Sequence, residues 1–201
     1  MSLRLSGGRK LQSPPGSTAR PTPARVRQAV MNMLSADLPG CSWLDLCCGS
    51  GVMACEAIQR GARHVVAVDQ DRRMAATARS NLGLVAAAQT PPADVTVVQQ
   101  EVMRWLRQGA AGPEAGWAEG TGARSRGFDL IYADPPYAAG LYPQLSEAIA
   151  AGGWLNAGGL LLLECASCNV PVINASWRML KQKRYGTSTV LILTREPHAT
   201  S

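Results

Sequence analysis

An α/β fold, a doubly wound and mostly parallel sheet with a C-terminal antiparallel hairpin, is expected for this 201-residue chain on three observations. After Pro39-Gly40, short apolar runs alternate with helical stretches, the order that βαβ units produce. Each helical stretch is long enough to cross over between parallel strands. Beyond residue 177 the pattern changes to two runs split at Tyr185-Gly186, which reads as a hairpin closing one sheet edge.

Taken in order, residues 1–21 contain several Gly, Ser and Pro and read as an extended arm. A helix follows, with Thr22 as its cap, Pro23 in its first turn, and Val26, Val30, Met33 and Leu34 as an apolar face that leaves Arg25 and Arg27 outside. Strands are expected at 42–48, 64–69, 95–100, 128–134 and 160–165, and helices at 52–60, 72–82, 102–108 and 141–151. The hairpin strands are expected at 177–184 and 187–195. Residues 109–127 hold six glycines and little apolar periodicity, so they read as a mobile surface loop at the amino ends of the strands. The domain reading is a basic N-terminal arm and helix over 1–40 and one α/β domain over 41–201.

Composition narrows the function classes. No apolar stretch approaches the roughly 18 residues of a membrane-spanning helix. The polar, basic opening contains no apolar signal core, so a soluble cytoplasmic protein without a membrane partner is expected. The six cysteines are scattered and form no disulfide framework. Cys165 and Cys168 make one isolated C-x-x-C with no histidine at metal-ligand spacing, and buried thiols are the better reading than zinc or redox chemistry. The net charge of +6 is carried by residues 1–36, where Arg4, Arg9, Lys10, Arg20, Arg25 and Arg27 meet no acid before Asp37. A basic segment joined to a neutral domain suits a phosphate backbone.

At the end of the first expected strand stands Asp45-Leu46-Cys47-Cys48-Gly49-Ser50-Gly51. Glycines at a strand-to-helix turn let a ligand approach the backbone. Gly49-x-Gly51-x-x-Ala54, with Asp69 at the distance expected of a ribose-binding acid, also fits a dinucleotide fingerprint, so a nicotinamide enzyme competes here. Asp45 weighs against it, because a carboxylate repels a pyrophosphate and welcomes the sulfonium and ammonium of S-adenosylmethionine. Asp45, Gly49, Gly51 and Asp69 in this order resemble the cofactor motifs of class I methyltransferases. That resemblance implies a glycine turn around the methionyl part, Asp69 on the ribose hydroxyls, and Glu101 with neighbouring Val102 against the adenine. An ordinary first-turn glutamate explains Glu101 equally well.

Asp134-Pro135-Pro136-Tyr137, after the apolar run 128–133, is the most specific signal. Two prolines fix the backbone and remove amide donors, leaving oxygen acceptors. A base amino nitrogen is a poor nucleophile because its lone pair is delocalised. Acceptors on both N–H bonds, the Asp134 carboxylate and the Pro135 carbonyl, favour a pyramidal nitrogen, and Tyr137 is placed to stack on the base. No metal is required.

This box is shared by methyltransferases acting on DNA adenine, RNA bases and protein glutamine. The upstream segment Arg20-Pro21-Thr22-Pro23-Ala24-Arg25-Val26-Arg27, with Gly7-Gly8, Arg9-Lys10-Leu11, Asn32-Met33-Leu34 and Gly153-Trp154-Leu155, resembles the bacterial 16S rRNA guanine-N2 methyltransferases. The resemblance implies a Rossmann-like class I fold and transfer from S-adenosylmethionine to the N2 amino group of a guanine in 16S rRNA. The substrate would be a wholly or partly assembled 30S particle and the enzyme a monomer. Arg9, Lys10, Arg20, Arg25 and Arg27 are the expected RNA contacts. A DNA adenine-N6 or protein glutamine-N5 methyltransferase, or a non-catalytic RNA-binding assembly factor, stands as the alternative. A shortened stretch after Gly8, the Cys47-Cys48 pair before Gly49 and the long 109–127 loop depart from the family pattern.

Overall fold

The structure is a computed structural model that describes residues 3–13, 22–112, 127–136 and 140–196. It divides into two compact units, residues 1–102 and 103–201.

The first unit holds α1 (Ala24–Met33), β1 (Ser42–Leu46), α2 (Val52–Gln59), β2 (His64–Asp69), α3 (Arg72–Ala86) and β3 (Asp94–Gln99). Its strands are parallel in the order β3-β2-β1. Val65, Val66, Ala67 and Val68 are all buried, as a strand covered on both faces requires. Asp71 caps α3 by accepting from the Arg73 and Met74 amides. The helix runs past the expected stop at 82, because burying Leu82, Val85 and Ala86 outweighs the roughly 1 kcal/mol cost of Gly83.

Two expectations for the N-terminal segment are corrected. Thr22 does not cap α1: Pro23 holds the cap position without a side-chain hydrogen bond, and the Thr22 carbonyl instead accepts from Arg27 Nη1 at 2.8 Å. Residues 3–13 are no loose arm. An antiparallel bridge between Arg4 and Lys10 closes a turn around Gly8, whose φ of +85° suits glycine. Leu5 and Leu11 are buried beneath it. Of the expected arm, residues 14–21 lie outside the described residues.

α4 (Val102–Leu106) begins where the first unit ends. The second unit continues with β4 (Phe128–Ala133), α5 (Tyr142–Ala151), β5 (Leu155–Ala166), β6 (Trp177–Tyr185) and β7 (Ser188–Arg195). Its strand order is β4-β5-β7-β6, with β4 and β5 parallel and the other two pairs antiparallel. The expected C-terminal hairpin is therefore present. β5 starts five residues before its expected position. Residues around Gly158-Gly159 pair beside β4 across a register shift between Phe128 and Leu130, a contribution that an apolar pattern does not reveal. Trp105 stacks on Trp154 at 4.2 Å between ring centroids, and Trp154 Nε1 donates to the Leu106 carbonyl at 3.0 Å. Most of the expected glycine-rich loop, residues 113–126, lies outside the described residues. Among those described, no helix is long and apolar enough to cross a membrane.

Candidate active site

In the first unit, the carboxyl ends of β1 and β2 bring four of the expected cofactor residues together. Asp45 is only 2% exposed, and its Oδ2 accepts the Ala54 amide at 3.1 Å. Burial, partly opposed by that hydrogen bond and reinforced by the charge of Asp69, pushes its pKa up to about 8. Asp69 Oδ2 accepts the Gly49 amide and Oδ1 the Asp71 amide, each at 2.8 Å. Burial raises the Asp69 pKa too.

Gly51 begins α2 at φ +74°, and a Cβ there would sit 2.4 Å from Leu82 Cδ1, so only glycine fits. A Cβ on Gly49 would meet nothing within 4 Å, which leaves the turn open on that side. Cys47 adopts φ +60°, a strained conformation for a side chain of its kind. Glu101 is exposed just after β3 and Val102 is buried.

This arrangement discriminates between cofactors. A pyrophosphate at a glycine turn is held by backbone amides and repelled by neighbouring carboxylates. Here the Gly49 and Ala54 amides are both taken by carboxylates. The turn is lined with acid and open beside Gly49, and that fits a cationic, phosphate-free ligand such as S-adenosylmethionine.

In the second unit, Asp134 is half-buried immediately after β4, Pro135 is buried and Pro136 is exposed. Tyr137 lies outside the described residues. Both flanks of this segment are tied to Glu164 on β5: Tyr132 Oη donates to its carboxylate and Tyr142 Oη to its carbonyl, the latter at 2.9 Å. Burial raises the Glu164 pKa against the hydrogen bonds from Tyr132 and Ser188. In the C-x-x-C pair, Cys165 is buried with its Sγ on the Thr189 carbonyl, and Cys168 is exposed.

The arm cations separate into exposed and withdrawn. Lys10 and Arg25 are exposed, and Arg9 reaches the Leu84 carbonyl at 3.3 Å. Arg20 lies outside the described residues. Arg27, expected on the outer face of α1, is only 4% exposed. It donates to Glu56 on α2, to the Thr22 carbonyl and to the Arg4 carbonyl. Burial disfavours a charged Glu56, but hydrogen bonds from Arg60 and Ser6 outweigh it and hold its pKa below the usual carboxylate range.

Asn81 escaped the sequence reading. Its Oδ1 accepts the Gln12 amide at 2.8 Å, while Nδ2 donates to the Gln12 carbonyl at 3.1 Å and the Ser50 carbonyl at 3.0 Å. One buried amide thus joins the N-terminal turn to the glycine turn. The available signal was a polar residue on the apolar stripe of α3, between Ala78 and Val85. Glu164 left a similar one, a lone acid ending the run Leu160–Leu163.

Known proteins resemble this chain over most of its length. The Ribosomal RNA small subunit methyltransferase D of Escherichia coli K12 is 27% identical over 204 residues, covering 99% of this chain and 93% of that protein. The protein of the same name from Haemophilus influenzae is 26% identical over 179 residues, with 89% and 84% covered. Among solved structures, yhhF from Escherichia coli, a candidate methyltransferase, superimposes with a TM-score of 0.75 at 26% identity, covering 98% of this chain and 99% of that one. The rRNA methyltransferase aviRa from Streptomyces viridochromogenes, at 21% identity, TM-score 0.66 and coverages of 92% and 88%, shares the fold. The fold is Rossmann-like, of the methyltransferase type. The family model described as conserved hypothetical protein 95 matches residues 5–194, and the chain belongs to that family.

Proposed function

We propose that this chain is an rRNA methyltransferase that transfers a methyl group from S-adenosylmethionine to the exocyclic N2 amino group of a guanine in 16S rRNA, acting as a cytoplasmic monomer on the 30S particle. The acid-lined glycine turn carries the reading: Asp45 and Asp69, which accept the Ala54 and Gly49 amides, present carboxylates where a phosphate would be repelled and a cation is favoured. The names of the Escherichia coli and Haemophilus influenzae relatives supply the RNA.

In this reading Gly49 and Gly51 leave room for the methionyl part, Asp45 faces its positive charge, Asp69 accepts from the ribose, and Glu101 with Val102 borders the adenine. The bound cofactor supplies an electrophilic methyl carbon. Asp134 and the Pro135 carbonyl accept the two N–H bonds of the guanine amino group and aim its lone pair, while Pro136 keeps the corner rigid and Tyr137 stacks on the base. As the nitrogen–carbon bond forms and the carbon–sulfur bond breaks, the surplus proton leaves the nitrogen for Asp134 or water. Residues 41–201 form the catalytic domain. Residues 1–40 face RNA through Arg9, Lys10, Arg20 and Arg25, with Arg27 holding that segment from within. A guanine in folded RNA must be turned out to reach such a corner.

The test is to incubate the protein with labelled S-adenosylmethionine and 30S particles from cells lacking it, then map the modified nucleoside. N2-methylguanosine at one position is the expected product. Label on DNA adenine or protein glutamine would replace this reading with the corresponding methyltransferase, and cofactor binding without transfer would leave a binding factor.

A further inference from the structure

β6 is the edge strand of the second unit, and from Arg178 to Arg184 all its residues are exposed. Directly paired residues of antiparallel strands put their side chains on one face. Arg178 pairs with Thr194, Lys181 with Ile192, Lys183 with Val190 and Tyr185 with Ser188. The four β7 partners alternate along their strand, so Arg178, Lys181, Lys183 and Tyr185 share one face of β6. The register shift between Met179 and Lys181 produces this row. In an unbroken strand, Arg178 would point away from both lysines.

Among the described residues, the row is compensated only at its Arg178 end. No Asp or Glu occurs between Glu164 and Glu196, and Glu164 is buried. Arg178 meets Glu196 at 3.4 Å, with 60% and 48% of the two side chains exposed, a contact easily exchanged for another anion. The Lys181 and Lys183 side chains have no partner among the described residues. Scattered charge of either sign is enough to keep a sheet edge from pairing. A single-sign row, spaced about 7 Å between alternate residues and ending on an aromatic ring, does more.

We propose that this face of β6 is a second RNA-docking surface, separate from the N-terminal segment, on which Arg178, Lys181 and Lys183 track the phosphates of one RNA strand and Tyr185 abuts a base. The choice of partner rests on the rRNA reading above. The cations supply counterion release and the open edge lets a strand lie along them.

The experiment measures binding of an unmodified small-subunit rRNA transcript against salt concentration for the full chain, Lys181→Ala/Lys183→Ala, Lys181→Arg/Lys183→Arg, and Arg184→Gln on the opposite face. The alanine pair is expected to flatten the logarithmic salt dependence by about 0.7 per lysine and to raise the KM for RNA while leaving cofactor affinity unchanged. The arginine pair restores the slope and Arg184→Gln leaves it unaltered. An unchanged slope in the alanine pair, or an equal loss with Arg184→Gln, overturns the proposal. If the alanine pair binds the transcript normally and fails only on protein-bearing particles, the surface meets a ribosomal protein and the RNA assignment falls. Methyl transfer to RNA with slope and KM undisturbed would sink the docking surface alone. A shallower slope without any methyl transfer would sink the enzymatic reading alone.

Discussion

Asp45 combines burial with an acidic neighbour, a cost that either a proton or a bound cation offsets. Its carboxyl is buried beside Asp69, and its pKa of about 8 lies far above the ordinary 3.8. Between those values the folded protein keeps a proton that the unfolded chain has lost. This group's contribution to stability therefore falls as pH rises from about 4 to 8, then levels off. A bound sulfonium or ammonium favours the ionised form. Cofactor binding should thus tighten from pH 6 to 8 and release a proton near pH 7, which calorimetry in buffers of different ionisation enthalpy detects. Asp45→Asn should weaken binding by roughly 10- to 100-fold, the worth of a hydrogen bond to a charged group, and abolish the pH dependence. Proton uptake, or no linkage, would contradict the role given to Asp45.

Among the elements, the N-terminal turn is anchored at two points that can be cut separately. Glu56 on α2 gathers Arg27, Arg60 and Ser6. Because its pKa is depressed, Glu56 stabilises the fold above its unfolded value near 4.5, and that contribution is lost as pH falls through the folded value. Glu56→Gln leaves two arginines without their charge partner, and a loss of roughly 3–5 kcal/mol is expected in urea unfolding at neutral pH, shrinking on the acid side. Asn81 is the other anchor. Asn81→Ala should loosen both turns, with an unsatisfied-group cost of roughly 1–3 kcal/mol. Cofactor affinity should fall, and hydrogen exchange at the Gln12 amide should quicken. In the unmodified protein S-adenosylhomocysteine should slow that exchange; in the variant it should not. Unaltered cofactor affinity in Asn81→Ala would separate the two turns.

Over the whole molecule, what the sequence revealed follows from which forces are local. The apolar runs at β1, β2 and β4 and the glycine turn before α2 announce themselves, because two-faced burial and positive φ restrict residue choice at the position itself. The start of β5 was hidden because Leu155–Gly159 joins the sheet by pairing across a register shift, and backbone pairing leaves no side-chain pattern. Arg27 was misplaced for a related reason. Its position on α1 looked solvent-facing until the turn of residues 3–13 folded over it, a long-range event that helix periodicity does not encode. The cation row on β6 depends on one bulge, and a one-residue shift reverses the face of every side chain beyond it.

The reading of Asp134 as a ligand of the reacting amino group is tested most directly by measuring methyl transfer to 30S particles and S-adenosylhomocysteine affinity together in Asp134→Ala. Transfer should fall by about 100- to 1,000-fold, as when one preorganised polar partner of a reacting group is removed, with cofactor affinity unchanged. Transfer at the unmodified rate, or a loss explained wholly by weakened cofactor binding, would contradict it.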